Sequence, residues 1–413
     1  MISAIAPLLL TLFFVATPAA AATHCDLPPV AVTNVRLFDG EAVTPKATVV
    51  TRCTTIWRIK IGSASLELPT DTVTIDGHGM TLLPGLIDTH THTWSVPMLE
   101  RPLDFGVTTV MDMGSTNREF AGSIRTERAT GPSRNRSDLY SAVLWVTAPG
   151  SHGTQWAEVP TLVEPEDAVA FVAARVEEGA DYVKIIYDNF KMFDRDIPTL
   201  KKETMEAVVA AAHAQGLMAV VHSRDVEAWA DVVNAGADGI VHLPVDEVPD
   251  ATLIKLIKEK GVWVGGNLSL GRPLGESLID DPAIGPMLTE SEKESLKNFR
   301  AMHREGGDRV ALDTVRALHA ADITFLPGSD SPNGGTIAGG TMHRDLEALV
   351  EAGFTPAEAL KAATADAAAA FKLADRGRIA EGLQADLLLV EGAPDRNIRD
   401  TRNIVAVIKA GEL

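Results

Sequence analysis

The run Leu82-Leu83-Pro84-Gly85-Leu86-Ile87-Asp88-Thr89-His90-Thr91-His92 holds both the architecture and the chemistry of this chain in outline. It starts apolar and ends in two histidines separated by one threonine. In an extended backbone, residues i and i+2 point to the same face. His90 and His92 therefore project side by side from the end of a buried strand. Two neutral imidazoles on one face are well placed to grip a divalent metal. Taken alone, the pair reads equally well as hydrogen-bonded strand-end residues, so the rest of the chain decides.

Downstream, short apolar runs alternate with helical stretches. Strands are expected at 82–88, 108–113, 139–147, 182–187, 219–222, 239–242, 262–266 and 323–327. Helices are expected at 165–178, 202–215, 226–235, 250–259 and 308–321, several followed by a glycine (Gly179, Gly216, Gly236, Gly261) that suits a C-terminal cap. Apolar strands alternating with helices argue for a parallel sheet buried on both faces. Eight such units favour a closed (β/α)8 TIM barrel. An open doubly wound sheet is disfavoured because no Gly-x-Gly-x-x-Gly follows the first strand. The ends of the chain differ. Residues 23–80 and 377–413 read as short β-branched strands between turn signals, as in Val30-Ala31-Val32-Thr33 and Leu387-Leu388-Leu389-Val390. They are expected to fold together as a small β-sandwich, leaving 81–376 to the barrel. Two stretches, 115–136 and 268–291, read as irregular loops at the rim.

The strand ends share a polar signature. The first ends in His90 and His92, the fourth carries Lys184 among apolar neighbours, the fifth ends in His222, the sixth in His242 and the eighth in Asp330. Any one of these has a plain structural explanation. Together, at matching positions on separate strands, they outline a metal site at the C-terminal mouth of a barrel. His152 lies just past the third strand and is a candidate donor to substrate. His343 is a weaker candidate for substrate contact, and Trp94 is a candidate pocket wall.

At this point the residues resemble a family. Leu83-Pro84-Gly85-Leu86-Ile87-Asp88-Thr89-His90-Thr91-His92, the order His-x-His, Lys, His, His, Asp, and the tail Gly377-Arg378-Ile379-Ala380-Glu381-Gly382-Leu383-Gln384-Ala385-Asp386 are similar to the amidohydrolase superfamily of metal-dependent hydrolases. The similarity is greatest to its imidazolonepropionase-like and Xaa-Pro-dipeptidase-like branch. It implies a barrel with a sandwich built from both termini. It also implies one metal on His90, His92 and Asp330, a second on His222 and His242, and a carboxylated Lys184 bridging them. Zn2+ is the expected metal, as one or two ions. The implied reaction is hydrolysis of a small-molecule amide or peptide-like bond by metal-activated water, with Asp330 as the catalytic proton carrier. A lactonase or esterase on the same scaffold, or a non-catalytic metal-binding relative, are the alternatives. After Lys184 the chain departs from the family's small, Gly-rich residues, with Tyr187-Asp188-Asn189 in their place, so Tyr187 and Asp188 are expected to alter substrate choice.

Composition bounds the remainder. The chain has 413 residues, 46% hydrophobic and 23% charged, enough for a large core and a smaller domain. A net charge of −19 without a basic stripe argues against a nucleic-acid partner. Residues 1–22 carry no charge, are apolar from Ile5, and end in Ala20-Ala21-Ala22. They read as a secretory signal cut after about Ala22, giving a secreted or periplasmic protein with no membrane attachment after cleavage. The pattern lacks a Lys or Arg near Met1, while Pro7 and Pro18 break the run and argue against an anchor. Cys25 and Cys53, the chain's two cysteines, are placed to pair in an oxidising compartment, though two buried thiols fit equally well. A homo-oligomer is compatible with all of this.

Overall fold

A computed structural model describes residues 26–64, 66–193, 195–270, 277–297 and 306–413. The signal segment and Cys25 lie outside the described residues; Cys53 is not a free thiol. In chain order the described strands are β1 (Val30–Phe38), β2 (Val43–Arg52), β3 (Thr55–Ile61), β4 (Val73–Asp76), β5 (Met80–Pro84), β6 (Leu86–Thr91), β7 (Val107–Asp112), β8 (Asp138–Ser141), β9 (Trp145–Val146), β10 (Val183–Ile186), β11 (Ala219–His222), β12 (Gly239–Val241), β13 (Trp263–Gly266), β14 (Phe325–Pro327), β15 (Leu387–Glu391) and β16 (Ile404–Ile408).

Both chain ends enter one sheet of order β16-β15-β5-β1-β2-β3, with β4 beside β1. Its far edge returns to the segment before β15: the Ile56 N–H donates to the Leu383 carbonyl and the Gly382 N–H to that of Ile56, each at 2.8 Å. Val32, Val35, Val49, Leu82, Leu387 and Leu389 fill the space enclosed. Alternation of β-branched residues with polar ones makes each strand two-faced, and the sheet buries the apolar face against itself.

The other strands run parallel, as β6-β7-β8 and as β9 through β14. β8 pairs with β7 and β9 with β10, so these two short pieces are halves of the one strand expected at 139–147. The chain kinks between them at Val143, whose φ is +61°. The Ser141 hydroxyl accepts the Val143 N–H at 2.8 Å and stabilises the kink. At the other seam the Asp330 N–H donates to the His90 carbonyl at 2.7 Å and the His92 N–H to that of Ser331 at 2.9 Å. The Thr89 hydroxyl donates to the Pro327 carbonyl at 2.8 Å. Eight staves thus close into a (β/α)8 barrel. Inward residues Ile87, Met111, Val220, Val241 and Leu326 pack its interior. Outward residues Val183, Ile185, Val221 and Ile240 pack against helix residues such as Val208, Trp229, Ile257 and Leu318.

Three expectations need correction. The strand expected at 82–88 divides at Gly85: β5 pairs with β1 and β15 in the chain-end sheet, and β6 begins the barrel. A Cβ on Gly85 would lie 2.2 Å from the Thr108 hydroxyl, so only glycine lets the chain cross there. Much of 115–136 is helix (Arg118–Arg128) rather than loop, capped by the Asn117 side chain accepting the Phe120 N–H. Its buried residues are only Ala121 and Ile124, with Phe120 packed beside them, too little to register as periodicity. Within 268–291, Leu278, Ile284 and Leu288 are packed against Phe105 and Ile337, while residues 271–276 lie outside the described ones. Gly236 and Gly261 do cap their helices in the left-handed conformation.

Candidate metal centre

Strand direction places every candidate stave-end residue at one mouth of the barrel. On β6, His90 and His92, two residues apart, both face the mouth, while Thr89 bonds the wall. His90 Nε2 and His92 Nε2 stand 3.4 and 3.2 Å from Asp330 Oδ1. One ligand atom from each of these three residues lies within 4.8 Å of the others, a metal-sized cluster. The close approach of β14 to β6 depends on Gly328, where a Cβ would meet that of His90 at 2.7 Å. Asp88 fixes the seam. Its carboxylate accepts the Ser329 hydroxyl at 2.6 Å, the Ser329 N–H at 2.9 Å and the His90 N–H at 3.2 Å.

The rings of His222 and His242 are 4.2 Å apart, and that of His242 lies 4.9 Å from His90. His222 points inward because Val220, two residues earlier, does so. His242 breaks this rule. Ile240 faces the helices and Val241 the interior, so a regular strand would send His242 outward. Its φ of +71° turns the side chain back into the mouth. Asp330 is also left-handed, at +52°. Such conformations cost about 1–3 kcal/mol each and gather at functional sites. Lys184 and Ile186 line the same cavity while Val183 and Ile185 face the helices. The cavity, about 770 Å³, is lined by all six of these ligand candidates and by His152, Phe190 and Arg224, among others.

Apart from His92, the protonation states suit ligation. Burial, reinforced by neighbouring cationic groups, holds His222 and His242 well below the usual histidine range. Burial does the same to His90 despite the Asp330 charge. Burial opposes charge on His92 too, but the Asp330 carboxylate and the Gly114 carbonyl outweigh it and raise the pKa. Burial works against the Asp330 charge, yet His90, His92 and Arg224 keep it ionised far below the usual carboxylate range. Burial lowers Lys184 to about 7, with Asp330 opposing and Arg224 reinforcing the shift.

Residues not foreseen in this role orient the imidazoles. His92 Nδ1 faces the Gly114 carbonyl at 2.7 Å, and His242 Nδ1 faces Asn267 Oδ1 at 3.3 Å. Each donates a proton there, which leaves Nε2 with its lone pair. His222 is reversed: Nε2 donates to Asp188 Oδ2 at 3.1 Å, leaving Nδ1 free. Outer partners of this kind fix tautomer and ring orientation in metal sites. Asn267 also donates to Asp330 Oδ2 at 2.9 Å. Asp188 stands in the stretch where the chain departs from its family; nothing local in the sequence marked Gly114 or Asn267, which act through a carbonyl and an amide.

The weaker candidates separate. His152 lines the cavity; the Gln155 amide donates to its Nδ1 at 3.1 Å, so the ring proton sits on Nε2. Burial pushes its pKa down to about 3, so it is neutral. Trp94 borders an adjoining pocket of about 370 Å³ that reaches the first cavity at His92, Trp145 and Trp156. Two candidates do not reach the mouth. Tyr187 lies one strand step from Ile186, so its ring faces outward and its hydroxyl donates to Asp231 at 3.0 Å. His343 is fully buried in helix Gly340–Glu351, with Nδ1 on the Thr401 hydroxyl at 2.9 Å and Nε2 on the Phe105 carbonyl at 3.1 Å. It joins that helix to the chain's end.

Residues 81–413 match the Amidohydrolase family. The chain belongs to the amidohydrolase family. This amidohydrolase is a hydrolase of carbon–nitrogen bonds in small molecules, in a family that is metal-dependent. It is 27% identical over 296 residues to an uncharacterized protein of Mycobacterium tuberculosis, covering 69% of this chain and 73% of that one. It is 24% identical over 347 residues to ochratoxinase of Aspergillus niger, covering 75% of this chain and 66% of the relative. Among solved structures, a Xaa-Pro dipeptidase with bound methionine superposes with a TM-score of 0.75 at 23% identity, covering 93% of this chain and 99% of that one. At that identity the superposition speaks for the fold.

Proposed function

We propose that this amidohydrolase holds one or two divalent cations, zinc by preference, and uses them to hydrolyse an amide or peptide-like bond. The observation that carries the reading is the His90–His92–Asp330 cluster at the mouth of the barrel. His90, His92 and Asp330 would hold one ion, and His222 and His242 a second. The donor set fits: imidazoles with fixed tautomers, one ionised carboxylate, and a buried lysine near its neutral form. Lys184, once carboxylated by CO2, would offer two anionic oxygens to bridge the ions; a protonated amine has no lone pair to give. The bound metal supplies Lewis acidity and a lowered water pKa.

The protein's own groups do the rest. Asp330, steadied by Asn267, takes the proton of the attacking water and delivers it to the leaving nitrogen. His152, neutral with its proton on Nε2, donates to the developing oxyanion. We further propose export after removal of the signal segment; its uncharged apolar composition supports this, and N-terminal sequencing of the exported protein tests it. No helix among the described residues is long and apolar enough to cross a membrane.

Metal analysis and a substrate panel test the reading. The protein is expected to carry one or two equivalents of metal and to lose turnover with a chelator. Panels of N-acyl amino acids, dipeptides and lactones then separate amidase from lactonase. Failure of metal-loaded protein to cleave any amide would end the proposal.

A further inference from the structure

The proposed hydrolysis leaves the tryptophan pocket beside the metal mouth without a task. Three of the chain's six tryptophans, Trp94, Trp145 and Trp156, line it together with Pro332. Trp145 is held fast. A Cβ on Gly114 would lie 2.7 Å from its ring and one on Gly153 2.2 Å from its Nε1, so glycine at both positions lets the chain close on the indole. Its buried N–H has no hydrogen-bond partner, so the residue contributes its ring rather than a bond. Trp156 stands against it at 81°, ring centres 6.0 Å apart, and the His92 ring meets it at 88° and 6.5 Å. Walls set at right angles offer an entering ring a face to stack on and an edge to meet, the two arrangements that aromatic pairs prefer.

Further observations point to a ring as the occupant. Trp94 and Trp156 are 44% and 59% exposed, the two aromatic side chains among the described residues left that open. Apolar surface kept in water at the edge of a cavity is stabilised by being covered. The pocket also offers little to a polar guest. His92 is the one titratable group among its described lining residues, whereas Lys184, Arg195, Arg224 and Lys297 line the main cavity. Asn117 uses both ends of its amide, on the Trp94 carbonyl and the Phe120 N–H, each at 3.1 Å. The Asn333 amide donates to the Asp330 carbonyl at 2.7 Å. The volume of about 370 Å³ falls within the roughly 300–1,000 Å³ of small-molecule sites. His92, Trp145, Trp156 and Asn333 line both spaces, so a group filling the pocket sits beside the metal ligands.

We propose that this pocket is a subsite for an aromatic ring of the substrate, carried close to the scissile bond, with Trp94 and Trp156 as the residues that select it. This rests on the hydrolase reading above and narrows its substrate class to aryl-bearing amides. The bond cleaved then lies at His92 and Asp330, and the ring covers the two exposed indoles.

The test compares amides that differ in one group, on the metal-loaded full-length protein. One series is the benzyl, cyclohexylmethyl and methyl amides of acetic acid; the other is the phenylacetyl, cyclohexylacetyl and acetyl amides of methylamine. In at least one series the aryl amide is expected to exceed the cyclohexyl one by about 2–10-fold in kcat/KM, the size of an aromatic contact beyond its buried area, and the methyl one by more. Trp156→Ala should collapse that ratio toward one, and Trp156→Phe should keep part of it. Binding of 2-naphthylmethanol, which has a ring and no amide, gives a readout apart from turnover. It should quench tryptophan fluorescence saturably, and Trp94→Ala and Trp156→Ala should each raise its Kd by about 10-fold. Equal cleavage of aryl and cyclohexyl amides in both series overturns the subsite while leaving the hydrolase standing. An aryl preference that survives both tryptophan variants also overturns it, since the ring then binds elsewhere. Absence of all cleavage, here and in the panels above, overturns the hydrolase reading, and the naphthyl titration then decides the subsite alone. Quenching that does not saturate, or a Kd unchanged in both variants, refutes it. If Trp156→Ala does not fold, Trp94→Ala and Trp156→Phe settle the matter.

Discussion

At the scale of single residues, the site depends on which ring nitrogen of each histidine is left free. Asp188, Gly114 and Asn267 make that choice by accepting the other nitrogen's proton. Asp188→Ala should therefore lower metal affinity or activity by about 10–100-fold, as loss of an outer partner does, with the fold intact by circular dichroism. Metal titration checks this. Asp330 is proposed to carry a proton as well as to ligate. Asp330→Asn keeps the ligating oxygen and the shape, so metal should largely stay while kcat falls by about 10²–10⁴-fold. Undiminished turnover in that variant would refute the role.

At the scale of elements, a strand offers two faces, and most of the site obeys that rule. His90, His92, Lys184 and His222 face inward because they sit at alternate positions, and Tyr187 faces outward for the same reason. Helix Gly340–Glu351 shows a different use of histidine. His343 is buried between this helix and Thr401, and burial lowers its pKa from 6.5 to about 4, with Arg402 reinforcing the shift. Between those values the unfolded chain carries a proton that the folded one does not. Stability therefore rises with pH through that window and falls on acidification. The loss from this one group amounts to about 3 kcal/mol when pH drops from 6.5 to 4. Urea melts of unmodified protein and His343→Gln at both pH values should show a flatter pH dependence in the variant. Parallel curves would dismiss the assignment.

At the scale of the whole molecule, the barrel and the chain-end sheet are joined by a buried ionic cluster. Asp138, opening β8, accepts from Arg376 Nη1 at 2.6 Å, Lys409 Nζ at 2.9 Å and Gln384 Nε2 at 3.0 Å. Lys409 and Gln384 also reach Asp386, at 3.0 and 2.7 Å. Asp138→Ala removes one buried charge-assisted hydrogen bond each from Arg376 and Lys409, which keep Asp375 and Asp386 as partners, and should cost about 3–5 kcal/mol, measurable as a lower urea midpoint. Little change would show that the interface is held by apolar packing instead. The proposed metal site lies at the opposite end of the barrel. A ligand that binds only the folded state raises stability with its concentration, so chelation should lower Tm in proportion to the affinity lost.

The barrel was legible in the sequence because its periods are local: apolar runs of strand length, helices between them, and glycine caps at Gly236 and Gly261. The clustering of His90, His92, Lys184, His222, His242 and Asp330 at one mouth could be anticipated for a similar reason, since parallel staves deliver equivalent ends to one rim. Three matters waited for the tertiary structure. The break at Gly85 depends on Thr108, a neighbour 23 residues away in the chain. The inward turn of His242 depends on a left-handed backbone that no side-chain pattern announces. The lack of a hydrogen-bond partner at Arg224 Nε, 3.9 Å from Asp188 Oδ2, depends on what Asp188 already binds. Periodicity fixes direction along an element, but bonding partners are set by distances between elements, and those exist only once the chain has closed on itself.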